Sequence, residues 1–228
     1  MIESNFPRLT PLGDTALLLQ LGDRIDPRLN ARVHALARIL AEEAIDGFGE
    51  CVPGYASLLI NYDPLRLDNT QVSEHIFAAL DGLEEFPATT PKVVEIPVAY
   101  GGEFGPDLET IANRNKISGS EVVRIHSRPL YFVYFIGFLP GFPYLGGLDP
   151  AIAYPRLDTP RPAIPAGSVG IAGDQTGIYP SESPGGWRII GRTPLKLFDW
   201  QRQQPALLAP GDCVRFIPIA AEEFDRVA

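Results

Sequence analysis

The sequence predicts a small α+β domain over residues 1–90 followed by an all-β barrel domain over residues 91–228, and three observations carry that reading. Charge is uneven: residues 1–90 hold 14 Asp and Glu against 6 Lys and Arg, whereas residues 91–228 hold 14 against 13. Apolar residues in the first part switch between a helical and a strand period. In the second part, Gly137 to Gly191 contain 11 of the 22 glycines and Pro140 to Pro194 contain 10 of the 23 prolines, a density that breaks helices and leaves short strands and shaped loops.

Taken in order, Thr15 to Leu21 (TALLLQL) is short, apolar and preceded by Gly13 and Asp14, so it reads as a strand after a turn. Asp26 caps a helix with Pro27 in its first turn, and Leu29, Val33, Leu36, Ala37 and Leu40 repeat at helical spacing up to about Ala44. ECVPGYASLLINYDP then offers two strands around Pro53 and Gly54. Asp68 or Asn69 caps a second helix through Val72, Ile76, Ala79 and Leu80, ending near Gly82. Strand, helix, two strands, helix and then KVVEIPVAY is a split βαβ order, the order of a ferredoxin-like sandwich.

Glu84 to Lys92 (EEFPATTPK) has little to bury and two prolines, which makes it the expected domain boundary. Val93 to Tyr100 fits a strand on either side of it. Two short helices follow, PDLETIANRNK with Pro106 in the first turn and SGSEVVRIHS, in which Ser118 and Glu121 have capping-box spacing and His126 closes the helix. Beyond them the runs LYFVYFIGF, SVGIAG, TGIYP, GWRIIG, LKLFDW and DCVRFIPI, separated by turn signals, form the pattern of a closed or nearly closed barrel.

Composition excludes several classes of function. A net charge of -9 is the wrong sign for a nucleic-acid partner, which needs a basic surface. No uncharged apolar run approaches the roughly 20 residues that span a bilayer, and MIESNFPRLT lacks a signal-peptide pattern, so no membrane partner and a cytoplasmic location are expected. Cys51 and Cys213 form no CxxC or metal-ligand pattern, so no metal is expected and both read as small core residues. Phosphate-binding GxxxxGK[ST], GxSxG and HExxH motifs are missing.

Several long ordered blocks carry a resemblance: YGGEFGPDLE at Tyr100, RIHS around His126, GFLPGFPYLGGLD at Gly137, TPRPAIPAGSVGIAG at Thr159, QTGIYPSESPGGWRIIGRTP at Gln175 and PGDCVRF at Pro210. The chain resembles the allophanate hydrolase subunit 1 group, which includes the B subunits of 5-oxoprolinases and a sporulation-kinase inhibitor. Where the family often has a second basic residue after Pro155 and Arg156, this chain has Leu157 and Asp158. The resemblance implies a cyclophilin-like barrel. It also implies the B subunit of an ATP-dependent 5-oxoprolinase, inactive alone. The partners so implied are the A subunit of that enzyme and its C subunit, a larger cyclophilin-like chain, with ATP used in the complex rather than bound by this chain alone. Two alternatives belong to the same resemblance: a binding protein that inhibits a histidine kinase, and a carboxyltransferase or allophanate hydrolase-type subunit of urea metabolism.

Read for chemistry, the stretch from Gly137 to Thr193 is the expected functional centre. From Arg124 to Arg192 there are six arginines, no lysine and four acids, which favours bidentate recognition of a small anionic substrate. Arg161 and Arg192, beside Gly- and Pro-shaped loops, are the first candidates, with bridging of backbone carbonyls as the structural alternative. Glycines in PAGSVG and SPGGW admit an anion-accepting nest of N–H groups near Ser168. Ser168, Thr193 and Tyr144 complete the expected substrate set. His126, at a position where the family has a histidine, is the candidate acid or base. Phe138, Pro140, Phe142 and Trp187 are the candidate partner interface, with Phe138 and Phe142 read as an exposed ridge and a barrel core as the alternative for the aromatics.

Overall fold

Each long helix of the N-terminal part begins where a carboxylate satisfies its free N–H groups. The computed structural model describes residues 6–85 and 91–226, and the chain divides into two units, Met1–Thr90 and Pro91–Ala228. In the first unit the order is β1 (Arg8–Pro11), β2 (Ala16–Gln20), α1 (Pro27–Glu42), β3 (Phe48–Pro53), β4 (Ser57–Tyr62) and α2 (Asn69–Asp81). Asp26 caps α1 by accepting from the Arg28 N–H at 2.8 Å. Asp68, rather than Asn69, caps α2 in a reciprocal box with Gln71. Val33, Leu36 and Leu40 of α1 and Val72, Ile76 and Leu80 of α2 pack on Leu58 and Ile60 of β4 to form one core.

The sheet order is β1-β2-β4-β3, antiparallel throughout. The crossover from β2 through α1 to β3 leaves β4 between them, as a split βαβ unit requires. Its fourth strand, however, is not Val93–Tyr100. It is β1, an edge strand whose ends are exposed and whose RLTP sequence carries no alternation. A hairpin turn at Gly13, with φ of +68°, brings β1 back onto β2 and costs less loop-closure entropy than returning a strand from beyond α2. The expectation of a ferredoxin-like order closed by KVVEIPVAY is corrected accordingly. Of the expected boundary segment Glu84 to Lys92, residues 86–90 lie outside the described residues.

Val93–Tyr100 is instead β5 of the second unit, followed by α3 (Leu108–Asn115), α4 (Gly119–Ser127), β6 (Tyr131–Ile136), β7 (Pro143–Gly146), β8 (Arg161–Ile164), β9 (Ser168–Ala172), β10 (Gln175–Ile178), β11 (Ser183–Gly185), β12 (Arg188–Arg192) and β13 (Cys213–Ile219). Seven strands close a barrel in the order β10-β7-β6-β13-β5-β12-β9, with β9 pairing back to β10, and β8 pairs with β11 as a separate ribbon. All of β13 runs parallel to β5, from Cys213 beside Val93 to Ile219 beside Ala99. That long parallel pairing is the reason β5 belongs to the barrel. The interior is filled by Val98, Tyr131, Val133, Ile171, Ile190 and Phe216, and Ile111 and Val122 of the two helices join it. Among the described residues no helix is long and apolar enough to cross a membrane.

α4 starts as expected at Ser118, which accepts from the Glu121 N–H at 3.1 Å, but the box is half made because the Glu121 carboxylate turns to Arg124. α3 starts at Leu108. Its cap residue Asp107 makes no capping bond because its carboxylate is engaged elsewhere.

Candidate functional site

Two clefts on the barrel unit, among the described residues, take in candidate residues. The larger, about 330 Å³, is lined by aromatics from the β6–β7 loop, the TGIYP segment and the β11–β12 turn, with Arg156 at its rim. Its floor is a packed cluster: the Phe142 ring makes edge contacts with Tyr144 at 5.2 Å, Tyr179 at 5.5 Å and Trp187 at 5.6 Å between centroids. The Arg156 guanidinium lies 5.9 Å from the Trp187 ring centroid, at the outer limit of a cation–π contact. Phe138 and Pro140 are exposed as an interface would need, and Phe138, 63% exposed, holds a left-handed φ of +64° that a bulky side chain rarely adopts. Phe142 and Trp187 are buried. The expected exposed ridge is therefore Phe138 and Pro140 alone, because Phe142 turns inward to fill the space between Tyr144, Tyr179 and Trp187.

The smaller cleft, about 80 Å³, gathers Arg161, Arg192 and Ser168 with Glu103, Phe104 and Pro106. Sequence reasoning thus named three residues that do come together. Their chemistry differs from expectation. Both Nη atoms of Arg161 lie 2.9 Å from the Asp107 carboxylate oxygens, so its charge is already answered. Asp107 is itself buried and also accepts from the Ile189 N–H at 2.7 Å, with Arg188 Nη1 at 3.8 Å. Arg161, the sequence's candidate for a substrate carboxylate, is thus held by a buried acid, which it cannot leave without stranding that charge. Arg192 donates through Nε to the Ala166 carbonyl at 2.8 Å and lies over the Phe224 ring, which is the structural alternative for that residue.

No anion nest forms at Ser168. Its N–H donates to the Pro165 carbonyl, the Gly167 N–H donates to the Tyr179 carbonyl, and the Ser168 side chain is buried. Thr193 is buried too, its Oγ1 accepting from the Leu195 N–H at 3.2 Å. Tyr144 lines the aromatic cleft rather than this one.

His126 has no exposed surface. The Thr176 hydroxyl donates to the Gly170 carbonyl at 3.0 Å, so it accepts from His126 Nε2 at 2.9 Å, and Nδ1 then accepts from the Tyr100 hydroxyl at 2.8 Å. Burial holds the imidazole pKa down at about 3 and pushes that of Tyr100 well above its ordinary value. A histidine neutral at every physiological pH, with both nitrogens bonded inside the barrel, is a core residue. The sequence's candidate acid or base is therefore placed inside the barrel, away from both clefts. Cys51 and Cys213 are half-buried rather than core, and no cluster of three or more His, Cys, Asp or Glu side chains among the described residues is placed to hold a metal ion.

Residues 7–208 match the family described as carboxyltransferase domain, subdomain C and D. The chain belongs to that family. Among its relatives, the 5-oxoprolinase B subunit of Bacillus subtilis (strain 168) is 44% identical over 227 residues, covering 95% of each chain. A conserved uncharacterized protein, PH0987 from Pyrococcus horikoshii, is 51% identical with a TM-score of 0.58 over 95% of this chain and 100% of that one. TTHA0988 is 39% identical with a TM-score of 0.79 over 90% of this chain, which spans 40% of TTHA0988.

Sequence reasoning missed Arg156 and Tyr179 as cleft residues and Asp107 as the partner of Arg161. Arg156 stood in the count of six arginines and immediately after Pro155, but nothing local marks it as the one facing an aromatic wall. Its identification needs the fold, because Trp187 lies 31 positions away in the chain.

Proposed function

We propose that this chain is the B subunit of an ATP-dependent 5-oxoprolinase, which converts 5-oxoproline, ATP and water to L-glutamate, ADP and phosphate. It would do so together with the A and C subunits of that enzyme, the latter the larger. The observation that carries this reading is the 44% identity, over nearly the full length of both chains, with a 5-oxoprolinase B subunit. The geometry supports a contributing rather than a complete catalyst. Its one barrel histidine is sealed and neutral, and no phosphate-binding loop motif occurs in the sequence, which is in keeping with ATP being used in the complex. What the chain offers is a shaped cleft and an exposed aromatic, Phe138, beside it. In TTHA0988 a comparable unit is part of a longer polypeptide, which fits a unit that works against further protein.

The test is reconstitution. Purified A and C subunits should release ADP and form glutamate from 5-oxoproline when this chain is added and fall to background without it; equal activity in its absence rejects the proposal. The family description supports a second reading, carboxyl transfer to a small amide. That reading requires the reconstituted activity to depend on a biotinylated protein and to be blocked by avidin.

A further inference from the structure

Of the arginines between Arg124 and Arg192, most are already answered by acids. Arg124 pairs with Glu121, Arg128 with Asp149, and Arg161 and Arg188 with Asp107. Arg156 has no acidic partner among the described residues. It stands at the rim of the aromatic cleft, where no other lining residue carries a charge at neutral pH: the remainder are Phe, Tyr, Trp, Pro and Gly. A cleft with one cation, no acid and apolar walls selects a ligand of complementary type, with a single carboxylate, no ammonium group and a flat apolar body.

We infer that this cleft binds 5-oxoproline as a monoanion, with Arg156 on its carboxylate and the lactam ring against Trp187 and Phe142, and that the absence of an acid excludes free amino acids. The inference rests on the 5-oxoprolinase reading. In 5-oxoproline the nitrogen is a neutral amide, so the ring brings no cation that needs a counter-charge. Proline and glutamate both carry an ammonium group, which in this cleft would meet a guanidinium and aromatic walls instead of a carboxylate. The pocket thereby admits the substrate and rejects the open-chain product. Tyr144 and Tyr179 both line the cleft, and a phenol O–H is the donor type a lactam carbonyl takes. A volume of about 330 Å³ lies at the lower end of the roughly 300–1,000 Å³ of ligand pockets, as a small ring acid requires.

The full chain tests this directly. Trp187 and Trp200 are its only tryptophans, so in a Trp200→Phe background the emission of Trp187 reports occupancy of the cleft. 5-oxoproline should give a saturable change, Arg156→Ala should weaken it by about thirtyfold, and Arg156→Lys should recover part of that loss. L-proline and L-glutamate at the same concentrations should give no saturable change. Arg156 is exposed, so its removal leaves the fold intact, and thermal melting verifies this. The inference is overturned if 5-oxoproline gives no saturable change, if Arg156→Ala binds it as tightly as the parent, or if L-proline binds equally well. None of these outcomes depends on whether the reconstituted complex needs this chain, so the two readings fail separately.

Discussion

Arg161 grips Asp107 with both ends of its guanidinium, Nη1 at 2.9 Å from Oδ2 and Nη2 at 2.9 Å from Oδ1. The pair ties β8 to the start of α3, and the Ile189 N–H ties the same carboxylate to β12. Removing one partner of a buried ion pair costs more than the pair contributes, because the other charge is left uncompensated. Arg161→Ala is expected to lower barrel stability by about 2 kcal/mol, below the figure for a fully buried pair because Arg161 is 31% exposed and Arg188 remains near. Urea denaturation of the two proteins measures it. A loss below about 0.5 kcal/mol would mean that Asp107 does not need Arg161, and the guanidinium would again be open to a ligand.

His126 makes acid stability a readout of its burial. Its pKa falls from 6.5 in the unfolded chain to about 3 in the fold, so between those values the unfolded chain binds a proton that the native barrel does not. Stability from this group is therefore whole above pH 6.5 and is lost as pH falls toward 3, at up to about 1.4 kcal/mol per pH unit. Comparing urea midpoints at pH 7.5, 5.5 and 4.5 for the parent and His126→Gln isolates the imidazole from the carboxylates that titrate in the same range. The parent should lose stability more steeply by about 1 kcal/mol per unit below pH 6. Parallel slopes would show that the imidazole reaches water.

What was legible in the sequence was local. The caps at Asp26, Asp68 and Ser118 and the helical spacing behind them act within a few residues, and the glycine and proline density of the second half is itself a property of the chain. What depended on distant contacts was not legible. An arginine looks the same in sequence whether or not an acid neutralises it, and Asp107 lies 54 positions from Arg161. His126 reads as reactive beside Tyr131 until Thr176, 50 positions on, closes the barrel over it. β1 was invisible because an edge strand needs no apolar alternation.

The cysteines should be slow nucleophiles. Burial, then the neighbouring Glu50, raises the Cys51 thiol to about 11, and burial followed by Asp212 raises Cys213 above its usual value. Since the thiolate is the reacting form, Cys51 in a Cys213→Ser background should react with a disulfide reagent at pH 8 about a hundredfold more slowly folded than in urea. Folded and unfolded rates within threefold of each other would show that Cys51 is not screened.

Phe138 pairs a strained backbone with an exposed ring, which is a poor arrangement for the chain by itself. Its left-handed φ costs about 1 kcal/mol, and its edge contact with Phe142, 5.5 Å between centroids, returns a similar amount. Phe138→Gly should therefore change the thermal stability of the isolated chain by less than about 1 kcal/mol while reducing co-purification with the A and C subunits proposed as its partners. Undiminished co-purification would remove Phe138 from the interface.

Two glycines separate what the fold demands from what the cleft permits. Gly167 has a φ of +81°, and a Cβ there would strike the Thr193 carbonyl oxygen. Its N–H donates to the Tyr179 carbonyl at 2.7 Å while its own carbonyl accepts from the Thr193 N–H at 2.9 Å, so the peptide cannot move aside without breaking both bonds. Gly167→Ala should cost more than about 2 kcal/mol, the left-handed penalty plus a clash with backbone that has no rotamer to yield. Gly186 carries no such φ, and its Cβ would lie 3.6 Å from the Leu157 carbonyl oxygen and 3.9 Å from Arg156 Cβ, ordinary contacts. Gly186→Ala should leave the melting temperature nearly unchanged, yet it adds a methyl group at the rim where Arg156 stands, so any effect should appear in 5-oxoproline binding instead. Equal destabilisation by the two substitutions would mean that neither contact explains its glycine.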